Sequence, residues 1–105
     1  MKFGLTENTY SEIFQVFQKY PGVEKVFIYG SRAMGNYRPG SDVDLAVSGA
    51  TLSHRDILTI AADLDELGTL YRFDVLLYDK LNDPELKEHI DRVGQQFYLS
   101  GVEQN

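Results

Sequence analysis

The chain has 105 residues, 43% of them hydrophobic, and contains no cysteine. This length predicts one domain over residues 1–105, and the lack of cysteine excludes disulfides, thiolate metal sites and a cysteine nucleophile. The net charge of −6 argues against direct nucleic-acid binding, which depends on lysine and arginine displacing counterions. No signal peptide or membrane-length apolar run is apparent, so a soluble cytoplasmic protein is expected.

The first quarter of the chain predicts a helix followed by a buried strand. From Thr9 onward, apolar residues recur at helical spacing, and Thr9 with Glu12 forms a candidate capping box. Pro21-Gly22 ends this helix. The run Val26–Tyr29 is continuously apolar and rich in β-branched and aromatic residues, which is typical of a strand covered on both faces.

The rest of the chain predicts two more strands and two more helices. They follow in the order strand Asp42–Val47, helix from about Ser53 to Gly68, strand Arg72–Tyr78 and helix from Asp83-Pro84. The tail Gln95–Leu99 fits neither the helical period nor the alternation of a strand clearly. The order α, β, loop, β, α, β, α predicts an α/β domain, with a small mixed sheet flanked by helices.

A glycine and a serine directly follow the first strand. If a short helix begins at Arg32, its free N–H groups face the strand ends and can bind phosphate oxygens. Gly30 lets a ligand approach the backbone, and Ser31 adds a hydroxyl donor. An ordinary turn is the alternative interpretation of these two residues.

Three aspartates on predicted strands are candidate metal ligands. Asp42 and Asp44 are two residues apart on one strand and therefore point the same way, an arrangement that suits Mg²⁺. An exposed strand face is the alternative. Asp74 interrupts an otherwise apolar strand, where a carboxylate needs a cation or hydrogen bonds; an ion pair with Arg72 is the alternative there.

Taken together, these residues resemble the minimal nucleotidyltransferases of the DNA polymerase β-like superfamily. That family's pattern is Gly-Ser, about ten residues, Asp-x-Asp, and a third acid on a later strand. Here the ten residues Arg32 to Ser41 separate Gly30-Ser31 from Asp42-x-Asp44. The element order agrees, and the resemblance runs from about Tyr10 to about Val93.

The resemblance implies a magnesium-dependent nucleotidyltransferase that uses ATP. It assigns catalysis and the binding of two Mg²⁺ ions to Asp42, Asp44 and Asp74. Nucleotide binding falls to Gly30, Ser31, Arg32 and Ser41, with Arg38 as a further source of positive charge. One departure is Met34, which stands where many relatives have a second loop arginine.

Small members of this family look like antitoxins that neutralise a helical HEPN-domain toxin, in some cases by adding AMP to a toxin tyrosine. The resemblance therefore implies a HEPN-type toxin as partner, besides a nucleoside triphosphate. A binding module that blocks its partner by contact is the alternative from another class, although a pure binder has no need for three converging carboxylates. The acceptor, the base preference and any homo-oligomer stay open at this stage.

Overall fold

The three longer helices of the described chain begin where side-chain caps are available. The computed structural model describes residues 2–102. Helix α1 spans Glu7–Gln18, and the Thr6 hydroxyl accepts a hydrogen bond from the Thr9 N–H. The predicted capping box at Thr9 is therefore wrong, because Thr9 lies inside the first turn and Thr6 is the cap. The predicted helix start at Ser53 is confirmed: a capping box of Ser53 and Asp56 opens α3, which spans His54–Asp65.

Four strands form one mixed sheet in the order β3-β2-β1-β4. They are β1 at Lys25–Tyr29, β2 at Val43–Ser48, β3 at Phe73–Leu77 and β4 at Gln95–Leu99. Strand β1 pairs antiparallel with β2 and β4, whereas β2 and β3 are parallel. The predicted α/β class with a small mixed sheet is confirmed, and the ambiguous tail is the edge strand β4.

The sheet buries its two faces against different helices. Helices α1 and α3 cover one face, where the largest cluster of buried apolar residues includes Phe17, Leu45 and Ile60. Helix α4, at Pro84–Val93, covers part of the other face through Ile90. No helix within residues 2–102 is long and apolar enough to cross a membrane.

The connection between β1 and β2 brings the motif residues to one edge of the sheet. After β1, the single-turn helix α2 at Ser31–Met34 ends at Gly35, and an irregular segment leads to Asp42 just before β2. The predicted strand began at Asp42, one residue earlier than observed. Because β1 runs opposite to β2 and β3, its end lies beside their beginnings.

Candidate active site

The three predicted acids converge where β2 and β3 begin. Asp44 and Asp74 are register partners on these parallel strands, which places their backbones about 4.8 Å apart. Asp42 lies two residues before Asp44, close enough for its charge to act on the Asp44 carboxyl. Asp42 and Asp74 are exposed, and Asp44 is half-buried. We call Asp42, Asp44 and Asp74 the acid site.

The electrostatics of the acid site reflect this crowding. Burial makes the largest contribution to a raised pKa of the Asp44 carboxyl, and the neighbouring Asp74 and Asp42 carboxylates raise this pKa further, to about 6. The Arg32 guanidinium opposes them and lowers it. Proximity of like charges disfavours the ionised form. A cation between these groups would relieve that repulsion.

Gly30 packs directly against this carboxylate. It caps α2 with φ 73° and ψ −153°, a conformation accessible almost only to glycine. A Cβ at this position would collide with Oδ2 of Asp44. The missing side chain therefore lets the backbone that leads into α2 approach the acid site.

The segment from residue 30 to residue 41, the Gly-Ser loop, lies beside the acids. Because α2 is one turn long, the N–H groups of Ser31 and the next residues have no carbonyl partner inside the helix. A tight turn ends the loop, where Ser41 Oγ accepts from the Arg38 N–H at 2.8 Å. Met34 is 49% exposed and does not pack into the core.

Arg32 is the one charged side chain in the described part of the chain that is buried, at 2% exposure. Its Nη1 donates to the Phe3 carbonyl at 2.8 Å, and its Nε and Nη2 donate to the Ser41 carbonyl at 3.2 and 2.9 Å. The guanidinium is therefore occupied by backbone carbonyls. Its charge nevertheless reaches the acid site, as its influence on the pKa of Asp44 indicates.

The alternative explanation for Asp74, an ion pair with Arg72, is not formed. Across residues 2–102, the salt bridge that meets distance criteria joins Arg92 to Glu88 on α4 at 2.9 Å. Asp74 and Arg72 are both exposed. A carboxylate in an apolar strand thus remains without the structural partner that the sequence offered.

Two aromatic residues beside the acid site carried no signal in the sequence pattern. Tyr29, the register partner of Asp44, is buried, and burial raises the pKa of its phenol, with further contributions from Asp74 and Asp44. The His89 ring from α4 meets the Tyr29 ring edge-on, with centroids 6.2 Å apart. Tyr29 lies in the predicted buried strand, and only the packing of α4 brings His89 against its ring.

The donor set fits a hard divalent cation. No group of three His, Cys, Asp or Glu side chains within residues 2–102 is already gathered as a metal site. Magnesium seldom uses such all-protein cages; it takes one or two carboxylates and fills its octahedron with water and substrate phosphates. Asp44 and Asp74, adjacent and mutually repelling, match that requirement, and Asp42 supplies a third carboxylate beside them.

The fold resembles that of several solved proteins. A chain in the crystal structure of a toxin–antitoxin with AMP-PNP aligns with a TM-score of 0.69 and 22% identity, over 92% of this chain and 76% of that one. An MNT antitoxin in complex with a tri-AMPylated Shewanella oneidensis HEPN toxin aligns with a TM-score of 0.67 and 18% identity, over 91% of this chain and 74% of that one. A protein from Sulfolobus solfataricus, itself described as a putative nucleotidyltransferase, aligns with a TM-score of 0.55 and 20% identity, over 87% of this chain and 77% of that one.

Comparison at the level of sequence gives two further results. No curated protein matches the chain significantly. The family model described as polymerase beta, nucleotidyltransferase matches residues 11–100, which include the Gly-Ser loop and all three acids. With the strand order, the convergent acids and this match, the chain belongs to the polymerase β nucleotidyltransferase family.

Proposed function

We propose that this protein transfers AMP from ATP, with Mg²⁺, to a hydroxyl of a HEPN-type toxin and thereby acts as its antitoxin. The observation that carries the proposal is the register pairing of Asp44 with Asp74, with Asp42 beside them and the side-chain-free Gly30 against the Asp44 carboxylate. Such an arrangement has an evident use in phosphoryl chemistry and none in simple binding.

In the proposed reaction, the acceptor oxygen attacks the α-phosphorus of ATP. The bond between the α-phosphorus and the oxygen that bridges it to the β-phosphate breaks, and pyrophosphate leaves. Bound Mg²⁺ would stabilise charge on the attacking and leaving oxygens. Asp44 on β2, Asp42 just before it and Asp74 on β3 would hold it, and Asp74 would help to activate the acceptor hydroxyl by accepting its proton. The N–H groups after Gly30 and the Ser31 hydroxyl would bind the departing phosphates.

Relatives support the choice of nucleotide and acceptor. One structural neighbour comes from a toxin–antitoxin with AMP-PNP, and another is an MNT antitoxin whose HEPN toxin is tri-AMPylated. By analogy, we infer ATP as the donor and a HEPN-type toxin as the acceptor for this chain. The first check is the neighbouring reading frame, where a small helical HEPN-type protein is expected.

Replacement of one acid tests the proposal. Asp44→Asn preserves size but removes a charged ligand, so transfer of AMP to the co-purified toxin, measured as a mass increase of one adenylyl group, should fall by at least about 100-fold. Asp65→Asn is the matched control, because Asp65 is exposed at the end of α3 on the other face of the sheet. It should transfer AMP as the wild type does.

The same experiment separates the enzyme from a contact inhibitor. Under the proposal, the Asp44→Asn protein still binds the toxin but no longer modifies or neutralises it in the presence of ATP and Mg²⁺. An inhibitor acting by contact predicts full neutralisation by both variants, with no mass change in either protein. That second pattern would overturn the proposed function.

A further inference from the structure

The Arg32 guanidinium is surrounded by carbonyl acceptors and by two aromatic rings. Its nitrogens donate to the carbonyls of Phe3 and Ser41. The rings of Tyr37 and Tyr71 lie 5.2 and 4.9 Å from its central carbon. An aromatic ring attracts a cation held over its face, and a planar guanidinium stacks well there. We refer to Arg32, Tyr37, Tyr71 and the carbonyls of Phe3 and Ser41 as the Arg32 cluster.

Three of the segments that the Arg32 cluster joins lead to the acid site. The Ser41 carbonyl belongs to the peptide bond that leads into Asp42, so two hydrogen bonds from Arg32 fix the backbone beside that acid. Tyr71 immediately precedes Arg72. The Arg72 carbonyl accepts a hydrogen bond at 2.8 Å from the N–H of Val43, the residue between Asp42 and Asp44. Arg32 itself follows Ser31 in the Gly-Ser loop.

The N-terminal turn completes the cluster from outside the motif. Leu5 donates to the Lys2 carbonyl at 2.8 Å, which closes a turn in which Phe3 has φ 57° and Gly4 has φ 74°. A positive φ is unusual for a residue such as phenylalanine and persists where the surroundings hold it. A Cβ on Gly4 would collide with the Tyr37 ring and lie 2.8 Å from Nη1 of Arg32.

We propose that Arg32 is a positioning residue, which holds the Gly-Ser loop and Asp42 in their nucleotide-binding arrangement through the N-terminal turn and Tyr71. This inference rests on the proposed function and changes how Arg32 serves it: the arginine supports nucleotide binding without touching the phosphates. The turn at residues 2–5, which no motif includes, thereby becomes part of the site's support.

Two other roles make different predictions. If Arg32 left its carbonyls to bind the triphosphate directly, only substitutions of Arg32 itself would weaken nucleotide binding. If the cluster served only the stability of the fold, substitutions would lower the melting temperature and leave nucleotide affinity unchanged in the folded protein. A positioning residue predicts loss of affinity even when the guanidinium is retained and its neighbours are disturbed.

The test compares Arg32→Lys with Gly4→Ala. Lysine keeps the charge but loses the planar fork and the stacking, whereas Gly4→Ala keeps the arginine and disturbs its packing. Each should weaken binding of ATP with Mg²⁺ by about tenfold in calorimetric titration. Arg55→Lys, at an exposed position on α3, is the matched control and should bind as the wild type does.

Hydrogen exchange provides a readout that does not depend on nucleotide. In both variants, amides of residues 2–6 and 37–42 should exchange faster together, while those of α3 stay protected. Unchanged exchange in residues 37–42, or weaker nucleotide binding in Arg32→Lys alone, would overturn the inference. If the wild type binds no ATP, the proposed function fails, whereas the exchange experiment still decides whether Arg32 organises the loop.

Discussion

The two faces of strand β2 differ in what their residues do for the protein. Val43, Leu45 and Val47 point into the main core and are fully buried, whereas Asp44 points to the α4 face beside Asp74. Burial of the apolar face stabilises the folded protein, whereas the like charges gathered on the other face destabilise it. One strand therefore supplies both the stability of the fold and a site that reduces it.

The largest expected effect falls on the apolar face. Leu45→Ala removes a fully buried side chain at the centre of the core and should lower the free energy of unfolding by about 3 kcal/mol. Urea denaturation of the metal-free protein measures it. A loss under about 1 kcal/mol would show that this face contributes less than its burial indicates.

The next effect lies where the loop meets the acid site. Gly30→Ala carries the strain of a positive φ and also places a Cβ against the Asp44 carboxylate, so we expect a loss of about 2 kcal/mol. Gly35→Ala is the matched control: its φ is 85°, and no atom in the described chain lies within 4 Å of the added Cβ. It should lose about 1 kcal/mol by strain alone. Equal losses and equal nucleotide affinities in the two variants would contradict a close approach at Gly30.

On the acidic face, removal of a charge should stabilise the protein. The pKa of Asp44 is raised from 3.8 to about 6, so the folded state holds this proton more tightly than the unfolded state does. Its contribution to stability falls as pH rises from about 4 to 6 and stays unfavourable above that range. Because the carboxyl is partly exposed, solvent screening reduces the effect, and Asp44→Asn should gain about 1 kcal/mol at neutral pH.

The pH dependence checks the cause of that gain. Urea denaturation in EDTA should show the advantage of Asp44→Asn at pH 7.5 and a much smaller difference from wild type at pH 4, where the folded state holds the proton and the unfolded state holds it about half of the time. An advantage that persists at pH 4 would point to packing or hydrogen bonding at this position and would contradict repulsion within the acid site.

The smallest effect concerns the departure from the family pattern. Met34 is exposed at the end of α2, so Met34→Arg should be tolerated and should add a cation near the bound phosphates. We expect ATP binding in the presence of Mg²⁺ to tighten by about threefold, a modest gain because the position is solvated. Calorimetric titration measures it, and weaker binding in a folded variant would show that Met34 contributes through packing.

Local patterns predicted most of this fold and located the candidate acids. The helix start at Ser53, the alternating strand at Asp42–Val47 and the Gly-Ser spacing all depend on residues close in sequence. The start of α1 was misplaced because Thr6 and Thr9 are both good caps, and the side chains alone do not say which one is used. Strand β4 was ambiguous because its register with β1 shifts between Val26 and Phe27, which leaves Phe97 as an extra residue in β4, so that Phe97 and Tyr98 are both buried instead of alternating.

Residues distant in sequence decide what the motif left open. The burial of Arg32 depends on Phe3 and Tyr71, which no local period connects to it. The pairing of Asp44 with Asp74 depends on parallel strands whose register is defined only by the packed sheet. The sequence thus indicated candidate side chains, whereas their contacts came from tertiary structure.

The central claim is that the acid site and a triphosphate bind each other through magnesium. Under this proposal, the three carboxylates should repel ATP in the absence of a cation and bind it through one that is present. Calorimetric titration of the wild-type protein with ATP tests this directly, first with Mg²⁺ and then in EDTA. We predict binding at least about tenfold tighter with Mg²⁺, and a reduced difference in Asp44→Asn. Equal affinity in the two conditions would contradict the account.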